Sequence, residues 1–244
     1  MNHIDEYLRL FLSSEQTNFL EYEIRFGTKH SRITRSKYEN VLSFLKSQGF
    51  HLSNSNSTLR IKCDNNDVRT DIQGVSNIQS YCKNDSIENV LSDVQFNQKR
   101  RFIHDGEILY PKDYVDFGFR VSLQQDKDIE QEEFDDAEKN LVERWNSNKK
   151  IFRLIKRIHA TNTAYPGIRI DLSVVKSSKR DNKGSLISEY TVKQSGVLSS
   201  PLSYEVEIEY TGKDDNENIL NDINPKQALQ SIKSCITHIL RGLQ

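Results

Sequence analysis

The stretch "FLEYEIRFG", residues 19–27, alternates charged and apolar side chains, a pattern that predicts a β-strand. One face of this strand carries Glu21, Glu23 and Arg25, and the other carries Leu20, Tyr22, Ile24 and Phe26. The segment "LSYEVEIEY", residues 202–210, repeats the pattern with Glu205, Glu207 and Glu209. Glutamate is depleted in strands, and like charges two residues apart on one face repel. We therefore expect a compensating cation near both segments.

Short alternating segments recur along the chain and predict an antiparallel sheet. The further strand candidates are "STLRIKCD", "DVRTDIQG", "NQKRRFIHD", "YVDFGFRVSLQQD", "KKIFRLIKRIHAT", "GIRIDLSVVKS" and "SLISEYTVKQS". Helical spacing predicts helices over residues 3–13, 36–49, 75–84 and 225–243, the second with Ser36 as N-cap and Gly49 as C-cap. The acidic run "DKDIEQEEFDDAEKN" is typical of a solvated loop or helix edge.

Composition limits the possible functions. The net charge of -1 argues against a general nucleic-acid binder, so a polyanionic partner must meet a local basic cluster. The sequence contains neither a membrane-helix segment nor a signal peptide. Three scattered cysteines indicate a reducing compartment, and the six dispersed histidines show no metal-ligand spacing. Since no linker is evident, we predict a single domain over residues 1–244.

The strands and helices together predict an inverted barrel. Each strand has one apolar and one charged face, and the helices need apolar partners that the barrel exterior can supply. We predict an α+β fold in which an antiparallel eight-stranded β-barrel encloses a polar, charged lumen and the helices pack outside. Besides the glutamates, the charged faces carry Arg69, Asp71, Arg120, Arg153, Arg157, Arg169, Asp171 and Lys193, with Lys156 on the opposite side of its strand.

This lumen predicts phosphate chemistry. Carboxylate-only ligation is the preference of Mg²⁺ or Mn²⁺, and clustered glutamates need such a cation to stay ionised. Arginine binds phosphate through its planar guanidinium group. A divalent metal on one wall and cations on another indicate phosphoryl transfer.

The two glutamate segments, "EYEIRFG" and "YEVEIEY", resemble the paired strands of the triphosphate tunnel metalloenzymes, and "IRIDLSVVK" resembles that family's basic-acidic-hydroxyl strand. Within this family, the segments are most similar to those of the metal-dependent RNA 5'-triphosphatases of fungi, protists and large DNA viruses. Among these enzymes they most resemble the N-terminal domains of giant-virus mRNA capping enzymes. The resemblance implies metal-dependent hydrolysis of the γ-phosphate of 5'-triphosphate RNA, with nucleoside triphosphates as side substrates.

The resemblance also implies roles for individual residues. Glu21, Glu23 and Glu209 would ligate Mg²⁺ or Mn²⁺, and either Glu205 or Glu207 would orient the attacking water. The phosphate-binding set would comprise Arg25, Arg69, Arg120, Arg157, Arg169 and Lys193, with Asp171 ordering the basic residues. Either Arg153 or Lys156 would complete this set, since Ile155 interrupts the cation pattern of "FRLIKRIHA". Arg25 replaces a lysine more usual in small-molecule relatives, which favours RNA.

Several expectations follow from the same resemblance. The chain would be the triphosphatase part of a capping system, with a guanylyltransferase domain in cis or trans and no membrane partner. It would act inside the host cell, in cytoplasm or nucleus, or be packaged in a virion. The alternatives are an inorganic or thiamine triphosphatase, an adenylate-cyclase-like tunnel enzyme, or a non-catalytic β-barrel binding module.

Overall fold

A computed structural model describes residues 2–14, 19–27, 31–64, 66–130, 134, 136–213, 220 and 224–244. The strands are β1 (Leu20–Phe26), β2 (His51–Asn54), β3 (Thr58–Cys63), β4 (Val68–Gln73), β5 (Val94–Arg101), β6 (Ile103–His104), β7 (Glu107–Ile108), β8 (Lys112–Tyr114), β9 (Phe119–Ile129), β10 (Lys150–Thr161), β11 (Ile168–Ser177) and β12 (Ser203–Tyr210). The helices are α1 (Asn2–Ser13), α2 (Arg35–Ser47), α3 (Val75–Asn84), α4 (Asp136–Glu143), α5 (Val192–Ser195) and α6 (Pro225–Gly242).

Eight antiparallel strands close into a barrel. They pair in the order β1, β12, β11, β10, β3, β4, β5 and β9, and β9 pairs again with β1. Strand β2 adds to the far end of β10, β8 adds to the start of β9, and β6 and β7 form a separate hairpin. The predicted α+β barrel is confirmed, and β1 and β12, almost the whole chain apart in sequence, are hydrogen-bonded neighbours.

The apolar face of the barrel points outward and is covered by helices. Tyr22 and Ile24 of β1 are fully buried on this face, in one cluster with Ile4 of α1, Val41 of α2 and Ile236 of α6. Burying each such side chain contributes about 1.5–3 kcal/mol. Because helices cover this apolar face, the alternate residues of each barrel strand face the lumen.

A second apolar cluster covers the opposite side of the barrel. Tyr81 of α3 and Phe152 of β10 are buried in it, and the Trp145 indole donates to the Tyr81 hydroxyl at 3.1 Å. Trp145 therefore packs on the barrel from the short 3₁₀ turn after α4. The Lys150 side chain is fully buried beneath it and donates to the carbonyls of Trp145 and Asn148.

Three local predictions were wrong or fell partly outside the described chain. The N-cap of α2 is Thr34, not Ser36, and its hydroxyl accepts from the Lys37 amide. The segment "SLISEYTVKQS" is not a strand, because it forms two single β-bridges and then α5. The dipeptide "NN" at residues 65–66 predicts a turn between β3 and β4, and residue 65 lies outside the described residues. Among the described helices, none combines the length and apolarity that crossing a membrane requires.

Candidate functional site

The barrel lumen forms a cavity of about 280 Å³ with a wall of charged side chains. Seven cations and six carboxylates line it, so opposite charges face one another within a confined volume. The cations are Arg25, Arg60, Arg69, Lys99, Arg120, Arg153 and Arg157, and the carboxylates are Glu21, Glu23, Asp126, Glu205, Glu207 and Glu209. Such a lumen suits a ligand that carries several negative charges together with a cation.

The two glutamate strands lie side by side in the wall. Glu23 of β1 pairs in register with Glu209 of β12, and Arg25 pairs with Glu207. The Arg25 Nε donates to Glu207 Oε1 and lies 3.2 Å from Glu23 Oε1. The alternation seen in the sequence thus concentrates carboxylates from both ends of the chain on one patch of the lumen.

Two of these carboxyls resist ionisation. Burial, together with the charges of Glu207 and Glu21, raises the pKa of Glu23 to about 8. Burial, together with Asp171 and Glu21, raises the pKa of Glu209 to about 7. Arg25 and Lys99 beside Glu23, and Arg169 and Arg157 beside Glu209, offset these effects only in part.

Lys99 provides a cation beside the same patch. Its ammonium contacts the Glu21 carboxylate and lies 3.9 Å from both Glu23 and Asp126. Burial alone would raise the pKa of Glu21, but Lys99, Arg69 and Arg25 outweigh it and lower the pKa. A positive charge is therefore held among the carboxylates by a side chain from β5.

Asp171 of β11 organises basic residues of its own strand and of β10. Its carboxylate accepts from Arg169 Nε at 2.9 Å, pairs with Arg157 at 2.9 Å and lies 2.7 Å from His159 Nδ1. Burial alone would raise the pKa of Asp171, but His159, Arg169 and Arg157 outweigh it and lower the pKa. Arg169 also donates to Glu209 at 2.6 Å, which links this group to the glutamate patch.

The wall opposite β1 and β12 is formed by β3 and β4 and is basic. Arg60 donates to Asp71 at 2.6 and 2.8 Å, and Arg69 donates through one terminal nitrogen to Asp126 at 2.7 Å. The Arg69 Nε is buried, and within the described residues it has no hydrogen-bond acceptor. An acidic oxygen in the lumen would satisfy this donor.

The architecture matches solved structures of a viral domain. The RNA triphosphatase domain of a trifunctional mimivirus mRNA capping enzyme superposes with a TM-score of 0.61 at 16% identity, covering 100% of this chain and 96% of that chain. A monoclinic form of the mimivirus capping enzyme triphosphatase gives a TM-score of 0.59 at 14% identity, covering 100% and 96%. A triclinic form gives 0.59 at 14% identity, covering 98% and 96%. This chain has the fold of the mimivirus RNA triphosphatase domain.

The resemblance expected from the two glutamate segments is thus confirmed at the level of fold. No protein-family model matches the sequence. No curated protein matches it either.

Within this triphosphatase fold, most residues of the predicted site come together. The lumen wall contains Glu21, Glu23, Arg25, Arg69, Arg120, Arg153, Arg157, Glu205, Glu207 and Glu209. Arg169 and Asp171 contact members of that wall through the ion pairs described above. Their chemical roles remain predictions.

Two predicted phosphate ligands lie elsewhere. Lys156 is exposed on the outer side of β10, whereas Arg153 and Ile155 line the lumen. Strand β10 runs without a bulge through this region, so the alternation decides for Arg153, which donates to Glu205 at 2.6 Å. Lys193 is exposed on α5, not on a strand, so the expectation that it reaches the lumen is wrong.

Four residues of the site are absent from the sequence-based prediction, because Arg60, Lys99 and Asp126 line the lumen and His159 contacts Asp171. Arg60 follows the alternation of β3, and His159 follows that of β10. Lys99 lies in the basic run "QKRR", and such a charge run by itself is typical of a solvated face. Asp126 begins the acidic run, yet β9 extends through it to Ile129 and turns Asp126 inward. Counting alternate positions through the full strand lengths would have found all four.

The glutamate patch offers carboxylate oxygens, the ligands that a hard divalent cation prefers, and the register of β1 and β12 places these glutamates on neighbouring positions. As the side chains stand, no three carboxylate, imidazole or thiol groups of the described residues lie close enough to hold one ion. However, Glu21, Glu23 and Glu209 come from adjacent positions on paired strands, and a lysine ammonium already lies among them. Burial and neighbouring carboxylates raise the pKa of Glu23 and of Glu209, and a divalent cation bound beside them would favour their ionised, ligating forms.

Proposed function

We propose that this protein is an RNA 5'-triphosphatase that performs the first step of mRNA capping, the removal of the γ-phosphate from a 5'-triphosphate RNA end. One observation supports this above all: the carboxylates of β1 and β12 face a basic wall inside a closed lumen. The fold shared with the mimivirus RNA triphosphatase domain adds to it.

The basic residues would bind the triphosphate. Arg60, Arg69 and Arg153 approach the lumen from β3, β4 and β10, so they can contact different phosphate oxygens. Each is paired with a carboxylate that holds the guanidinium in place. Ordered guanidinium groups need little reorganisation as charge develops on the oxygens of the transferred phosphoryl group.

Hydrolysis would proceed by in-line attack of water on the γ-phosphorus. A bond forms between the water oxygen and the γ-phosphorus, and the bond to the β–γ bridging oxygen breaks, leaving a 5'-diphosphate RNA and inorganic phosphate. Glu205 or Glu207 would orient the water and take up its proton. Arg25, which contacts Glu207, would hold that carboxylate in position.

Glu21, Glu23 and Glu209 would hold a Mg²⁺ or Mn²⁺ ion. When bound, the ion would supply Lewis-acid stabilisation of the γ-phosphate oxygens. The chain's own contribution is to carry the three glutamates on paired strands, so that only their side chains need to reorient when the ion binds.

The product implies a partner. A 5'-diphosphate RNA end is the acceptor that a guanylyltransferase needs, so we expect such a domain to act in cis or in trans. Free nucleoside triphosphates would be side substrates, because the lumen contacts the phosphates and not the base.

Phosphate release from substrates of different kinds tests the proposal. We would incubate the protein with γ-labelled and α-labelled triphosphate-ended RNA, with Mg²⁺ or Mn²⁺ or with chelator. We expect metal-dependent loss of the γ-label only and a 5'-diphosphate product. Faster turnover of tripolyphosphate or thiamine triphosphate than of RNA would indicate a small-molecule triphosphatase, and cyclic AMP formation a cyclase. No phosphate release from any substrate would identify a non-catalytic binding module.

A further inference from the structure

The segment between β5 and β9, residues 102–118, is unusually apolar at its surface. It contains half of the large apolar side chains that are exposed in the described part of the chain, namely Ile103, Ile108, Tyr110, Val115 and Phe117, at 43–70% exposure. Single exposed apolar residues are ordinary, but five within one short excursion indicate a contact surface.

This excursion is continuous with the lumen. Pro111 and Arg120, near its end, line the cavity. Arg101, the last residue of β5, is on the same strand face as Lys99 and pairs in register with Gln124, which also lines the cavity. Whatever contacts the adjoining Tyr110 therefore lies beside one mouth of the lumen.

Arg101 and Tyr110 already form a stacked pair. The Arg101 guanidinium carbon lies 4.8 Å from the centre of the Tyr110 ring, and no carboxylate of the described residues forms an ion pair with Arg101. The Tyr110 carbonyl accepts from the Tyr7 hydroxyl at 2.6 Å, which fixes the backbone beneath the half-exposed ring. A fixed aromatic ring beside an arginine is the arrangement on which unpaired bases stack in single-stranded RNA.

The charges of the excursion favour contact with a phosphate backbone at the mouth of the lumen. The excursion and its flanks carry four cations, Arg100, Arg101, Lys112 and Arg120, and four carboxylates, Asp105, Glu107, Asp113 and Asp116. The titratable group at the hairpin is His104. Asp113 pairs with Arg120, and Asp105 and Glu107 lie on the hairpin of β6 and β7. A phosphate backbone is thus repelled by the hairpin and attracted to Arg101 and Lys112.

We propose that Tyr110 and Arg101 form a base-stacking site for the first nucleotides of single-stranded RNA at the mouth of the lumen. This inference rests on the proposed function for the placement of the triphosphate inside the lumen. The stack would also select the class of substrate, because RNA would contact Tyr110 through its bases. Tripolyphosphate has no base, and a single nucleotide whose triphosphate lies in the lumen would not reach Tyr110.

The test compares Tyr110→Ala with a matched control. Tyr190→Ala removes another exposed ring that lies under a lysine, at 5.6 Å, but Tyr190, unlike Tyr110, is not next in sequence to a residue that lines the cavity. Tyr110→Phe keeps the ring and should behave like wild type. For Tyr110→Ala we expect KM for triphosphate-ended RNA to rise about tenfold, which corresponds to about 1.4 kcal/mol, the order of magnitude that one stacked base contributes. We expect kcat on RNA and KM for tripolyphosphate to stay unchanged, and Tyr190→Ala to alter neither.

A second measurement separates this proposal from the proposed function. Fluorescence anisotropy with a single-stranded RNA that ends in a 5'-hydroxyl measures stacking without catalysis. Weaker binding by Tyr110→Ala than by Tyr190→Ala supports the stacking site even if no phosphate is released from any substrate. Equal RNA binding and equal KM values in the two variants overturn it, whether or not the protein is a triphosphatase. Loss of a dimer in Tyr110→Ala, seen by sedimentation without any change in RNA binding, overturns it in favour of contact between copies.

Discussion

Replacing Glu23 with glutamine should remove a pH-dependent loss of stability. The Glu23 carboxyl is buried between Glu21 and Glu207, and its pKa rises to about 8 from an ordinary value of 4.5. Between these values the unfolded chain ionises Glu23 while the folded chain keeps it protonated. The unfolded state then binds fewer protons, so the free energy of unfolding falls as pH rises.

The structure sets the size of the effect. One pKa unit corresponds to about 1.4 kcal/mol, so raising the pH by two units, from about 6 to about 8, costs wild type up to about 3 kcal/mol through Glu23 alone. Glu209, whose pKa is about 7, adds a smaller loss over the lower half of this range. In Glu23→Gln the first contribution disappears, so the variant should become more stable than wild type toward pH 8.

Urea unfolding in chelator at fixed ionic strength measures this difference. Trp145 is the sole tryptophan and is buried, so its fluorescence reports the transition. Glu39→Gln is the matched control, because Glu39 is an exposed helix residue paired with Arg35. We expect the control to follow wild type. A wild-type stability that stays level from pH 6 to pH 8, or a slope in Glu23→Gln as steep as in wild type, would refute the reasoning.

Three further predictions follow from the site and the helix packing. Glu21→Ala and Glu209→Ala should each lower metal-dependent phosphate release by about 10²-fold or more while circular dichroism stays native, since each removes a proposed metal ligand; near-normal turnover in both would contradict the metal assignment. Lys99→Ala should lower phosphate release, whereas Lys156→Ala should leave it unchanged, because only Lys99 lines the lumen; equal rates would remove Lys99 from the site. Gly242→Ala should destabilise the fold by about 1–3 kcal/mol in urea unfolding, because the added methyl would lie 2.8 Å from the α2 backbone; an unchanged midpoint would mean that α6 shifts freely.

The alternation of charged and apolar residues was enough to predict the barrel and most of its lumen. Strand β1 shows why. Tyr22 and Ile24 pack against the helices outside the barrel, so the alternate residues Glu21, Glu23 and Arg25 face the lumen. The same rule resolves the uncertainty over β10, since an unbroken strand that places Arg153 inward must place Lys156 outward.

Elsewhere local composition was misleading because tertiary contacts decide the outcome. Asp126 looks like the start of a solvated acidic run, but Arg69 and Lys99 on neighbouring strands draw it inward. Lys193 belongs to a segment with strand-like alternation, yet Thr191 caps a short helix there and turns the lysine outward. Arg69 and Lys99 lie far from Asp126 in sequence, so the position of Asp126 depends on contacts that a local pattern does not contain, whereas the Thr191 cap beside Lys193 is itself local.

The direct test of the central claim is the position of a bound metal ion. Anomalous diffraction from crystals grown with Mn²⁺ locates the ion without reference to activity. We predict a peak inside the lumen, bonded to carboxylate oxygens of Glu21, Glu23 and Glu209. Mn²⁺ bound only outside the barrel, or bound in the lumen without any of these three carboxylates, would contradict the claim.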